Sequence, residues 1–289
     1  MSKLSRKQVP WIKRKSSVIA LRRPTKERTA SQSAKKKERS VDQVLRCRHE
    51  IKYLISKSKA HSITQFVRSH LPLDRYSKIQ PDKAYPISSL YLDSPNLQLC
   101  RESLNSQKNR FKLRIRSYSD DPDYPHFFEI KRRVNRIIIK DRARIKHHNI
   151  SDLFSRGSLP FQDYSKDAEI LKQFWLYMNS IHAGPVIKVR YKRMAYEDDS
   201  HNRVRLTLDH DLAFKTVSTV DLSLDGSGWR RYIDGVVLEI KFTGCYPAWV
   251  GRMIKCFDLR QRSISKYAKA VKKSCLLMFC APVLPEIRY

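Results

Sequence analysis

Residues 111–116 read Phe-Lys-Leu-Arg-Ile-Arg. Strand side chains alternate between two faces, so Phe111, Leu113 and Ile115 form an apolar face and Lys112, Arg114 and Arg116 a cationic one. Five further stretches repeat the design. Arg46–Tyr53 aligns Arg46, Arg48, Glu50 and Lys52; Phe127–Arg133 aligns Glu129, Lys131 and Arg133; Ile138–Arg144 aligns Lys140, Arg142 and Arg144. Val204–Asp209 alternates Val204, Leu206 and Leu208 with polar positions that include Arg205, and in Val236–Phe242 Glu239 and Lys241 share the face opposite Leu238 and Ile240. One such strand alone is most often the wet face of an ordinary antiparallel sheet. Among the six strands several carry like charges two residues apart, and each such face holds at most one acid. Two like charges ~4 Å apart repel by roughly 4 kcal/mol at an effective dielectric of ~20, and by less at wider spacing or in salt. A closed barrel relieves this repulsion by wrapping the charged faces around a multiply charged anion while the apolar faces point outward. The expected fold class is α+β: an antiparallel β-barrel tunnel with a charged interior, covered outside by helices.

Three segments have the period for that cover. His61–Leu71 places Ile63, Phe66, Val67 and His70 on one helical face, and Ala168–His182 does the same with Ile170, Leu171, Phe174, Trp175 and Met178. Ala248–Lys273 carries Trp249, Met253, Phe257, Ile264, Tyr267 and Val271, with an interruption near Asp258–Arg262. These aromatic and Met residues read as core.

The chain has 289 residues and a formal net charge of +31, which points to an anionic partner: nucleic acid, anionic lipid or a phosphate polymer. Residues 1–44 are basic, poor in acids and without sustained periodicity, so they are expected to be a disordered tail, with residues 45–289 as the folded domain. The tail resembles a nucleic-acid or membrane-surface patch at Lys35–Arg39 and, in composition, an organellar transit peptide. A large positive excess remains in the folded part. The six cysteines show no CxxC pair or zinc-site spacing, and no apolar run reaches transmembrane length. A cytoplasmic, soluble or peripheral protein with free thiols is expected. His147-His148 reads as a solvated loop pair, Asp120-Asp121 and Asp198-Asp199 as turns, and Asp93 either holds a cation or caps a turn. There is no P-loop, GxSxG motif, RNP signature, helix-turn-helix pattern or zinc finger.

A set of fragments in one order resembles the vacuolar transporter chaperone (VTC) domains of the triphosphate tunnel metalloenzyme superfamily: Arg48-x-Glu50-x-Lys52-Tyr53, Ser89-Leu90-Tyr91-Leu92-Asp93, Lys112 to Arg116, Phe128-Glu129-Ile130-Lys131, Lys140-x-Arg142, Tyr191-Lys192-Arg193-x-Ala195-Tyr196, Val204-Arg205, Leu238 to Phe242 and Ser265-Lys266-Tyr267. The resemblance spans about residues 45 to 275. It implies that Lys52, Arg114, Arg116, Lys131, Lys140, Arg193, Arg205 and Lys266 line the tunnel. Arg114, Arg116, Lys131, Arg193 and Arg205 among them would hold nucleotide phosphates. Glu239 would bind Mn²⁺ or Mg²⁺, with Glu50 and Glu129 either as further ligands or as residues orienting nearby cations. Orientation is the preferred role for Glu129. Arg forks, mobile Lys charges and a hard carboxylate suit these roles.

The implied activity is ATP-dependent polyphosphate polymerisation, with ATP and polyphosphate as partners. The alternatives are a triphosphatase of the same fold and a non-catalytic module binding polyphosphate or inositol phosphates. The superfamily often opens with an ExExK strand, and Arg48 stands here in place of the first Glu, a departure that fits the VTC branch. Eukaryotic VTC domains work beside membrane and SPX domains; neither is detectable here, so a membrane or accessory subunit would come from another chain. Nucleic acid is expected to bind only weakly, through the tail.

Overall fold

The computed structural model describes residues 48–135, 137–155, 165–198 and 204–276. The basic segment 1–44, Arg46 and Asp199 lie outside these residues. The strands are β1 (Arg48–Ile55), β2 (Tyr85–Asp93), β3 (Arg110–Ser117), β4 (His126–Val134), β5 (Ile137–Ile145), β6 (Gly184–Glu197), β7 (Arg205–Thr216), the short β8 (Arg230–Arg231) and β9 (Val236–Thr243). The helices are α1 (Lys57–Arg68), α2 (Arg75–Ile79), α3 (Gln98–Leu104), α4 (His148–Ser155), α5 (Lys166–Ser180), α6 (Ala248–Cys256) and α7 (Lys266–Ser274). Ser56, Ser165 and Ser265 cap α1, α5 and α7, each side chain accepting from a backbone N–H three residues on. Among the described residues no helix is long and apolar enough to cross a membrane.

The strands form one antiparallel sheet in the order β1-β9-β7-β6-β2-β3-β4-β5, with β8 paired to β7. The sheet curls until Lys131 Nζ on β4 lies 3.8 Å from Glu50 Oε2 on β1, with five strands between them in the path. No ladder joins β1 to β5 among the described residues, so the expected closed barrel is corrected to an open, curled half-barrel. Part of the outer edge of β1 is taken by a loop instead of a strand. Gln261 bridges Tyr53 there, and the Arg262 N–H donates to the Lys52 carbonyl at 2.9 Å. Entry into β9 depends on Gly235, held at φ +101°, where a Cβ would sit 2.5 Å from the Ile55 carbonyl oxygen.

The alternation sorts the side chains as its period requires. On the convex side, Tyr53, Leu206, Leu208, Leu238 and Ile240 pack under α1 and α6 through Ile63, Val67, Val250 and Met253. Leu113, Ile115, Phe128 and Ile130 pack under α5 through Leu171, Phe174 and Met178. A third cluster lies on the concave side, where Tyr267, Ala268, Ala270 and Val271 of α7 cover Tyr91, Tyr191 and Val237. The single interrupted helical segment of the sequence is thus two helices with opposite duties: α6 outside the sheet and α7 inside its curl.

Asp93 takes the capping role. Its carboxylate accepts from the backbone N–H groups of Ser94, Leu99 and Cys100, and from the Tyr267 hydroxyl at 2.5 Å, which ties α3 and α7 to β2. His147 and His148 are both exposed, as a solvated pair would be, and His147 Nδ1 also lies 2.9 Å from His126 Nε2.

Candidate functional site

Among the described residues, three acid-centred groups stand on the concave face. The first is built by β3, β4 and β5, whose register places Arg114 opposite Glu129 and Glu129 opposite Arg142. Glu129 is fully buried. It accepts from Arg114 Nε at 2.6 Å and Arg142 Nε at 2.8 Å, and lies 3.0 Å from Lys140 Nζ and 3.7 Å from Arg116. Burial alone would raise the Glu129 carboxyl, but Arg114, Arg116, Lys140 and Arg142 hold it well below the usual carboxylate range. One carboxylate thus faces four cations.

The second group spans β1 and β9, where Lys52 lies opposite Glu239. Lys52 Nζ is 2.5 Å from Glu50 and 3.5 Å from Glu239, and Lys241 also pairs with Glu239. Burial would raise both carboxyls, and Glu239 adds to this at Glu50; the surrounding lysines, joined at Glu239 by Arg193, lower both instead. In the third group Asp209 on β7 is fully buried and binds Arg193 of β6 through two bonds of 2.6 and 2.8 Å, with Lys266 of α7 at 2.6 Å. Burial pushes its carboxyl up, and Arg193 and Lys266 overcome this to leave it at about 2.

One of the expected residues stands apart from these centres. Arg205 is held by Asp74 at 3.0 Å and by Glu197, and touches the Tyr85 hydroxyl at 3.4 Å. Lys131 of β4 joins the second group from across the curl, its Nζ 3.8 Å from Glu50 Oε2. Burial, followed by neighbouring cations, pulls Lys131 down to about 8 and Lys140 to about 7, despite the attraction of nearby carboxylates. Lys112 shows the same effect, reaching about 7 through burial and Lys131, while donating to Ser265 Oγ at 2.9 Å.

Four participants were not singled out as site residues by the sequence reading: Asp209, Arg142, Lys241 and Lys112. Arg142, Lys241 and Lys112 carried a usable signal, since each alternates with a named residue on its own strand. Asp209 shares the polar face of its strand with Arg205, but nothing in that period shows its partners, which come from another strand and from α7.

Among the described residues no three His, Cys, Asp or Glu side chains gather as a metal site. The oxygen donors present are Glu239, its neighbour Glu50, and Thr207 Oγ1, which is buried without a hydrogen-bond partner and lies opposite Glu239 in the β7–β9 register. So small a set fits Mg²⁺ or Mn²⁺ held jointly with substrate phosphates, as these hard ions prefer. Glu129, fully engaged by cations, fits a metal poorly.

A family model described as the VTC domain matches residues 47–275. No curated protein sequence matches the chain. Solved structures similar to it include a Bacillus halodurans protein proposed as an adenylate cyclase, with 13% identity over 75% of this chain and 92% of that one and a TM-score of 0.43. The Hippeastrum protein HpAC1, described as having a dominant triphosphatase activity, shares 15% identity over 83% of this chain and 99% of its own, with a TM-score of 0.42. The PH1819 protein of Pyrococcus horikoshii OT3 shares 12% over 79% and 99%, with a TM-score of 0.41. Likenesses this distant assign no activity to the chain.

Proposed function

The chain belongs to the VTC domain family of the triphosphate tunnel metalloenzyme superfamily, and on that premise we propose that it is an ATP-dependent polyphosphate polymerase. The observation that carries the reading is the imbalance around Glu129: Arg114, Arg116, Lys140 and Arg142 share one carboxylate, and Lys131 and Lys112 lie nearby with weakened hold on their protons. Such a surface gains most when a chain of phosphates supplies the missing negative charge.

In the proposed reaction a terminal oxygen of polyphosphate or inorganic phosphate attacks the γ-phosphorus of ATP. The bond from that phosphorus to the β–γ bridging oxygen breaks, and ADP leaves with the electron pair. Phosphoryl transfer of this kind needs in-line positioning and charge stabilisation rather than a protein nucleophile. Arg114, Arg116 and Arg142 would bind the transferring group, with Glu129 holding their planar forks in place. Arg193 and Lys266, fixed by Asp209, would grip the chain from the opposite wall. Glu239, with Glu50, would hold a divalent ion, which when bound neutralises charge on the phosphate oxygens.

The test is incubation of the purified chain with ATP and Mn²⁺, with Lys266→Ala and Glu239→Gln as controls. The polymerase reading expects ADP together with long-chain polyphosphate from the wild type and neither from the controls. Orthophosphate as the only phosphate product would instead identify a triphosphatase.

A further inference from the structure

A row of aromatic rings leads from the arginines of the concave face to the surface. Phe127 and Tyr118 meet edge-on at 5.5 Å, Tyr118 and Tyr85 lie 6.3 Å apart, and Tyr85 meets Tyr76 edge-on at 6.0 Å. The inner rings are committed to holding cations. The Tyr118 hydroxyl accepts from Arg142 at 2.9 Å and Arg116 at 3.4 Å, Arg142 also lies 4.3 Å over the Phe127 ring, and the Tyr85 hydroxyl accepts from Arg205.

Tyr76, on α2, differs from them. It is 42% exposed, belongs to no core cluster, and carries the Arg75 guanidinium 4.6 Å over its ring. A lone exposed aromatic is ordinary. This one lies a single ring away from Arg205 and two rings away from Arg116 and Arg142.

We propose that Tyr76 and Arg75 form a stacking platform for the nucleobase of a nucleoside triphosphate whose phosphates lie on the adjacent arginines. The inference rests on the nucleotide reading above and adds to it a contact that discriminates ATP from a bare phosphate chain. An aromatic ring backed by a guanidinium suits a base in this place because every base presents a π-face, and stacking is tolerant of its identity. The platform should therefore favour nucleotides over inorganic phosphates without strong selection among bases.

Isothermal titration of the full chain with ATP and, separately, with inorganic tripolyphosphate tests the platform. Tyr76→Ala is expected to weaken ATP about tenfold while leaving tripolyphosphate within about twofold, and Tyr76→Trp to restore ATP binding. If the two ligands weaken together, or neither changes, the platform is overturned while the phosphate site stands. If the wild type binds neither ligand, the phosphate site fails and the platform fails with it.

Discussion

The two walls of the curled sheet solve the same electrostatic problem in opposite ways. On the β1–β9–β7–β6 wall, Lys52, Lys241, Arg193 and Lys266, the last from α7, are met by Glu50, Glu239 and Asp209, so four cations face three carboxylates and the charges nearly cancel. On the β3–β4–β5 wall, Arg114, Arg116, Lys140 and Arg142 share Glu129 alone. The first wall is internally balanced and positions its charges. The second is left short of negative charge, and a bound polyanion completes it. In the proposed enzyme the first wall is the metal and positioning side and the second the phosphate seat.

The largest expected effect lies in the catalytic division between the walls. Glu239→Gln should abolish ADP formation while tripolyphosphate still binds by titration calorimetry; loss of both together would merge the two roles. Next in size is stability. Glu129→Ala removes the shared partner of a buried cation cluster and should cost ~3 kcal/mol or more in urea unfolding. Asp209→Asn, which deprives only Arg193 and Lys266, should cost less. Added tripolyphosphate should restore stability to Glu129→Ala more than to Asp209→Asn, since it replaces charge on the wall that lacks it.

A smaller effect is proton linkage. Lys112 and Lys140 at about 7 and Lys131 at about 8 lie below the ordinary lysine value because of burial and then neighbouring cations. In the window from about pH 7 to about 10 the unfolded chain therefore binds more protons than the folded one, and stability of the free protein from these groups rises with pH. Polyanion affinity runs the other way. A phosphate chain favours the protonated lysines, so affinity should fall as pH rises through 7 to 8, with proton uptake on binding measurable by calorimetry in buffers of different ionisation heat. The smallest effect is expected outside both walls: Arg144, 70% exposed and paired with Asp167 at 3.6 Å, should change stability by less than ~1 kcal/mol when replaced by Ala.

Much of this contrast was legible in the sequence, because a strand's period of two fixes which residues share a face without knowledge of the partners. The cationic stripe of β3 and the stripe of Lys140 and Arg142 on β5 could be read in that way. Closure of the sheet could not, since the segment at Gln261 and Arg262 that takes part of the edge of β1 is a loop without periodicity. Nor could the role of Asp209, whose meaning comes from β6 and from α7 turning into the concave side. The sequence pattern located charge, whereas tertiary packing decided which charges were neutralised.

The most direct test compares one cation from each wall by titrating tripolyphosphate into Arg142→Ala and Lys241→Ala. Loss of a charge-assisted phosphate bond is worth ~1.5 to 3 kcal/mol, so Arg142→Ala should weaken binding by about tenfold or more, with Lys241→Ala changing it by under about threefold. Equal losses at both positions, or a greater loss at Lys241, would contradict the assignment of the β3–β4–β5 wall as the phosphate seat.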